Sequence, residues 1–257
     1  MNNFILQFCL INICLLHLLE NIGFLFRIAG IEESNLVAGY TFQNTLQFSS
    51  RILTFIFMPI FALLADNRTL LITFSQIFTY YLISFVLIFV CVYRFKEILK
   101  ILRLIISSQL SGKTVFRSIF QKKVLFAFIS AFILIKKPNM SAIVPKYLMP
   151  NQKEALKILR NFSITYIPTY SCWIFISILI TIFPERPSFL ISLSTFFTFS
   201  ATIYQSIIFD PWMARYIENK ELTRSIYLEL QVLRLRSIFI SFLISSSTFF
   251  VIKKYFI

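Results

Sequence analysis

Long apolar stretches constrain this chain more than anything else in it. Several runs of about 20 residues are long enough to cross a hydrocarbon core of roughly 30 Å at about 1.5 Å per residue. They place helices at 4–26, 36–64, 70–93, 161–183, 188–209 and 228–252. Hydrophobic residues make up 58% of the 257, Phe alone accounts for 32, and the mean hydropathy is +0.78. A soluble domain, usually about 45–50% apolar, could not hide so much greasy surface. The expected fold is all-α: one polytopic integral membrane domain over 1–257 with about six transmembrane helices.

Charge sets the expected orientation. The formal net charge is +14. In a soluble chain that would point to nucleic acid, but here the basic residues sit between apolar runs. Topogenic signals and anionic lipid head groups are the better reading, and no nucleic-acid partner is expected. The region 94–160 holds 14 of the 25 Lys and Arg residues against Glu97 and Glu154 alone. Within it, 124–135 is an apolar run too short for a comfortable crossing. We read 94–160 as a basic cytoplasmic region containing a short interfacial or re-entrant helix, with both termini outside. Lys253 and Lys254 then lie on the less favoured side; a seventh crossing by 119–135 would move them, while splitting the basic region across the membrane. The N-terminus lacks the basic start of a signal peptide and reads as a retained first helix. Cys9, Cys14, Cys91 and Cys172 are scattered in apolar runs and predict neither disulfide nor metal site.

Against this background the polar residues of the first two helices stand out. A charge near the bilayer centre costs about 3 kcal/mol on insertion scales, so such residues must face protein or water. At 100° per residue, Tyr40, Gln43, Asn44, Gln47, Ser50, Arg51 and Thr54 share about a third of one helix circumference. One helix earlier, His17, Glu20, Asn21, Phe24 and Arg27 share a face. The two stripes read as the wall of an intramembrane cavity lined by Glu20, Gln43, Asn44, Gln47 and Ser50. Glu20 is expected to partner one of the arginines, because an isolated charge would cost more than a pair. Arg234 continues a line through Ser237, Ser241 and Ser245, and Glu229 and Arg236 share a neighbouring face.

Other patterns carry less. Ser111-Gly112-Lys113-Thr114 resembles the tail of a phosphate-binding loop, but Ser107 stands where the earlier glycine belongs. His17 is the one histidine, too few for a relay or a metal cluster. No Gly-x-Ser-x-Gly elbow occurs, so the chain is not read as an enzyme, and no cofactor or metal is expected.

Glu20, Arg27-Ile28-Ala29-Gly30-Ile31, Asn44, Ser50-Arg51 and Pro59 resemble the opening of the Amj family of bacterial lipid II flippases, which can substitute for the larger MurJ flippase. Pro145-Lys146, Asp210-Pro211 and Arg234 follow in the family's order. Glu32-Glu33-Ser34 departs from the basic residues expected there, and 194–201 is Phe-rich where the family tends to carry glycines. The resemblance implies a multi-pass protein of the bacterial cytoplasmic membrane, serving cell wall biogenesis by translocating an undecaprenyl-diphosphate-linked peptidoglycan precursor. Arg51, Arg234 and Arg27 would bind the diphosphate, since a guanidinium bonds its oxygens bidentately and stays charged. Glu20 or His17 could couple ion movement to transport, and a homodimer sharing one cavity would enlarge the modest shell of six helices. The rival readings are a membrane scaffold of an envelope complex, whose polar residues only glue helices, and a carrier of another polyprenyl-linked or anionic lipid.

Overall fold

The computed structural model describes residues 2–66, 72–111, 117–118, 120–132, 152–215 and 220–256. All its regular elements are helical: α1 (Asn2–Glu32), α2 (Leu36–Asp66), α3 (Phe74–Tyr93), α4 (Phe95–Leu110), α5 (Lys122–Phe132), α6 (Gln152–Ile182), α7 (Pro187–Tyr204), α8 (Asp210–Ala214) and α9 (Lys220–Phe256). A π-helical turn, Gln205–Phe209, joins α7 to α8. Six helices are long and apolar enough to cross a membrane, with α7, the π-turn and α8 counting as one. A helix suits that setting because it bonds its own backbone groups where no water can.

The observed helices outrun the apolar windows. α1 continues six residues past 26, and α6 and α9 begin at Gln152 and Lys220 rather than 161 and 228. Hydropathy marks the apolar centre of a helix, whereas its backbone ladder continues into charged ends. The basic region holds a helix that charge counting overlooked. In α4, Phe95, Ile98, Leu99, Leu102, Ile105 and Ile106 are buried, while Lys96, Lys100 and Arg103 are exposed. The short helix expected at 124–135 corresponds to α5; 133–151, with Pro145-Lys146, and most of the Ser-Gly-Lys-Thr motif lie outside the described residues.

Local chemistry sets the joints. α1 and α2 form a hairpin whose helices meet at two glycines. A Cβ on Gly30 would stand 2.7 Å from the Gly39 Cα, and one on Gly39 would stand 3.0 Å from the Gly30 Cα. Ser34 takes the left-handed conformation in the connection (φ 55°), and the Asn35 Oδ1 accepts from the Ala38 amide at 3.0 Å to start α2. Thr73 and Gln76 form a capping box at the start of α3. Pro211 lacks an N–H and crowds the carbonyl four residues back. The wider turn at Gln205–Phe209 immediately before it accommodates both effects.

Contacts give each helix its direction. Ser163 meets Ser237 and the Ile167 carbonyl meets Ser241, so α6 and α9 run parallel. Tyr81 meets Ser245 while Phe74 meets Phe250, so α3 and α9 are antiparallel. Cys172 meets Ser194 and Ile158 meets Tyr204, making α6 and α7 antiparallel as well. The end of α3 and the start of α6 therefore share one end of the bundle. A single extra crossing by 119–135 would bring the chain to the other end, and the geometry disfavours it. The core is uneven. More than half of the apolar window is buried in α1 and α6 (56% and 61%), but under a quarter in α2, α7 and α9 (19%, 17% and 22%). α1 and α6 form the centre, with α2 and α7 as its outer wall.

Candidate functional site

A cavity of about 550 Å³ opens between α1, α2, α6 and the α7 π-turn segment. Its depth in the bundle follows from helix register. α1, α2 and α6 are each 31 residues long, and their middle residues are His17, Arg51 and Ile167. The cavity is lined by His17 and Glu20 from α1, by Gln47, Ser50 and Thr54 from α2, and by Tyr166 and Thr169 from α6. It therefore lies at mid-height, where polar groups in a membrane protein are most costly and transport sites are commonly built.

Of the residues that the sequence nominated, Glu20, Gln47 and Ser50 come together on this wall, with His17 beside them. Gln43 and Asn44 do not. Gln43 is buried against α1, where its Cγ would lie 3.5 Å from a Cβ on Gly23, and Asn44 is exposed. Both belong to the same broad stripe, but a helix face a third of the circumference wide is shared among α1, the cavity and the outside. Arg51 stands in α2 between Ser50 and Thr54; its side chain is outside the described residues.

The other two arginines are committed elsewhere. Arg27 is buried, donates from Nη1 to the Asp210 Oδ1, and lies 4.5 Å from the centroid of the Tyr40 ring. Its carboxylate is Asp210, not Glu20, and it does not snorkel to solvent. Arg234 is also buried. It donates to the Asn21 Oδ1 at 2.8 Å and to the Tyr166 hydroxyl at 2.5 Å, between the rings of Phe24 and Tyr166 at 4.6 and 4.1 Å. Arg234 thus stands behind the wall, against two of its lining residues, Phe24 and Tyr166. Among the described residues no ion pair links Glu229 and Arg236.

His17 is held by aromatic neighbours. Its Nε2 is 3.1 Å from the Tyr80 hydroxyl, which itself donates to the Tyr170 carbonyl at 3.0 Å. That hydroxyl has its proton engaged, so His17 Nε2–H is the donor to it and Nδ1 is left as an acceptor. The ring also packs edge-on to Tyr170, with centroids 4.8 Å apart.

Two parts of the site escaped the sequence. One face of α7 and the π-turn carries Ser194, Thr198, Thr202 and Ser206, at steps of four, into the cavity. Its period was legible, but Phe196, Phe197 and Phe199 dominate the segment and drew attention from the small hydroxyls between them. Tyr166, Thr169 and Trp173 of α6 are the second part, and nothing distinguished them from other span residues. Glu32 and Glu33 form ion pairs at the basic end: Glu32 bonds Arg224 of α9 at 2.6 Å, and Glu33 bonds Arg103 of α4 at 2.5 Å. Among the described residues, no group of three or more His, Cys, Asp and Glu is placed to hold a metal ion.

No family profile, no curated protein and no solved structure matches the chain.

Proposed function

We propose that this chain is a flippase of the bacterial cytoplasmic membrane that carries lipid II, the undecaprenyl-diphosphate-linked precursor of peptidoglycan. The observation that carries this reading is the cavity at mid-height, part polar and part apolar in its lining, between helices of membrane-crossing length. A flippase must shelter a polar head from hydrocarbon and leave the lipid tail outside. α2 and α7 flank the cavity and are the least buried of the six long helices, so parting them would open it to lipid. The volume of about 550 Å³ falls in the ordinary small-molecule range of about 300–1,000 Å³. It takes one portion of the disaccharide-peptide head, and passage of the whole requires that opening.

Arg51 is the residue proposed to meet the diphosphate, since Arg27 and Arg234 already have partners. Glu20 and His17, both on the wall, are where an ion would couple to the cycle. The scaffold reading draws support from a different face: Ser237, Ser241 and Ser245 of α9 bond α6 and α3, as helix glue does. It leaves the cavity unaccounted for.

Complementation separates the two. In a bacterium depleted of its own lipid II flippase, this chain should restore growth and lipid II translocation, and Arg51→Gln should abolish both while the protein still accumulates. A membrane-inserted chain that fails to translocate lipid II would leave the scaffold, or a carrier of another lipid.

A further inference from the structure

We infer that a second copy of this chain docks on the outer face of α2, where the Asn44 carboxamides of the two copies bond each other. The inference goes beyond the flippase reading and does not depend on the cargo.

Helical period defines the face. At 100° per residue, Val37, Thr41, Asn44, Thr45, Phe48 and Ile52 fall within about 100° of the circumference of α2, and all six are exposed. Val37 at 77% and Phe48 at 65% are ordinary surface for a helix that meets lipid. Asn44 is not. Its carboxamide bonds no other described group of the chain, whereas Asn12 of α1 turns its amide back to the Phe8 carbonyl at 2.8 Å.

Depth makes that exposure costly. The preceding residue, Gln43, is level with Gly23 of α1. Nine residues, about 14 Å of helix, separate Gly23 from Glu32, whose ion pair with Arg224 marks the charged end of the bundle. Asn44 therefore lies within the apolar layer of a chain that spans a membrane, and an amide carried there without a partner is expensive.

Symmetry supplies the partner. Copies inserted the same way round hold the same residue at the same depth, so a two-fold axis along the membrane normal sets Asn44 against Asn44. A carboxamide both donates and accepts, which makes the pair self-complementary; lipid tails offer neither function. Thr41, Thr45 and Ser49 follow at steps of four and let the two backbones approach. Each hydroxyl already bonds its own helix, donating to the Val37, Thr41 and Thr45 carbonyls at 2.9, 2.8 and 2.9 Å. Small residues at this spacing, joined by an asparagine, are what membrane helices use to associate. Phe48 and Ile52 cover the pair on the side toward mid-height.

Full-length protein carrying donor or acceptor dyes, reconstituted into phosphatidylcholine vesicles, should show energy transfer that falls on dilution with lipid as a dimer's does. Asn44→Leu should weaken association about five- to thirtyfold, the worth of one such hydrogen bond, and Asn44→Gln, which keeps the carboxamide, should retain most of it. At dilutions where the protein is monomeric, Asn44→Leu should melt no lower than the parent, because no contact within the chain is lost. In a background without native cysteines, Phe48→Cys should form an intermolecular disulfide on oxidation, while Phe196→Cys, at a position 76% exposed on α7, should not. A monomer at every dilution, a dimer unchanged by Asn44→Leu, a lowered melting temperature of the dilute variant, or cross-linking at Phe196 as readily as at Phe48 would overturn the docking face.

Discussion

Arg27 and Asp210 share one ion pair but not one environment. The arginine side chain is 1% exposed and the aspartate 29%. Breaking a buried pair is expensive mainly because of the charge left behind, about 3–5 kcal/mol when one partner is removed. Asp210→Asn strands a buried guanidinium and should approach the low end of that range. Arg27→Met leaves a carboxylate that can turn to solvent, and should cost less despite the lost contact with Tyr40. Thermal unfolding in detergent should rank Asp210→Asn as the less stable; the reverse order would mean that Arg27 acts through packing rather than charge. The sequence made Arg27 conspicuous, as any charge in an apolar run is. Its partner was hidden, because Asp210 lies 183 positions further on and only the α1–α8 approach brings the two together. Glu20, seven residues away on the same face of the same helix, was the natural expectation.

Helices were legible where one physical signal ruled and obscure where two competed. The six long apolar windows needed nothing beyond hydropathy. In α4 the charge excess masked an alternation of buried and exposed residues with the ordinary helical period. Along α7 bulky Phe residues masked the small hydroxyls between them. The α1–α2 joint shows what single residues can decide within an element. Gly39→Ala would place a Cβ 3.0 Å from both the Gly30 Cα and the Phe26 carbonyl, which are backbone atoms that cannot swing aside. The helices must then separate, at a cost of about 1–3 kcal/mol. Gly23→Ala meets only ordinary contacts, the nearest being the Gln43 Cγ at 3.5 Å, and should be neutral or slightly stabilising through helix propensity. Melting temperatures of the two variants test the joint. Equal losses would show that the close approach of α1 and α2 is not what these glycines serve.

For the molecule as a whole, the end that gathers Arg103, Arg224 and the start of α6 is the basic one. Lys100 on α4 and Lys157 on α6 are both exposed there. In a background without native cysteines, cysteines at these two positions should both resist an impermeant thiol reagent in intact cells and both react once the membrane is opened. Labelling of one alone would contradict the shared end that the parallel α6–α9 pair requires. Composition predicts a shared side for the basic segments, which the labelling tests; which helix lies central and which peripheral was not written in hydropathy, because every span is greasy on most of its circumference.

That inequality among helices has a consequence for how the protein can change. α1 and α6 hold the interior together, bonded to α3 and α9 through His17, Asn21, Ser163 and Ile167. α2 and α7 contribute the cavity's hydroxyl-bearing wall from the periphery. In the proposed flippase, substitutions on that wall would alter which cargo is recognised while the central pair keeps the chain folded, so that recognition would drift from one cargo to a related one by small steps.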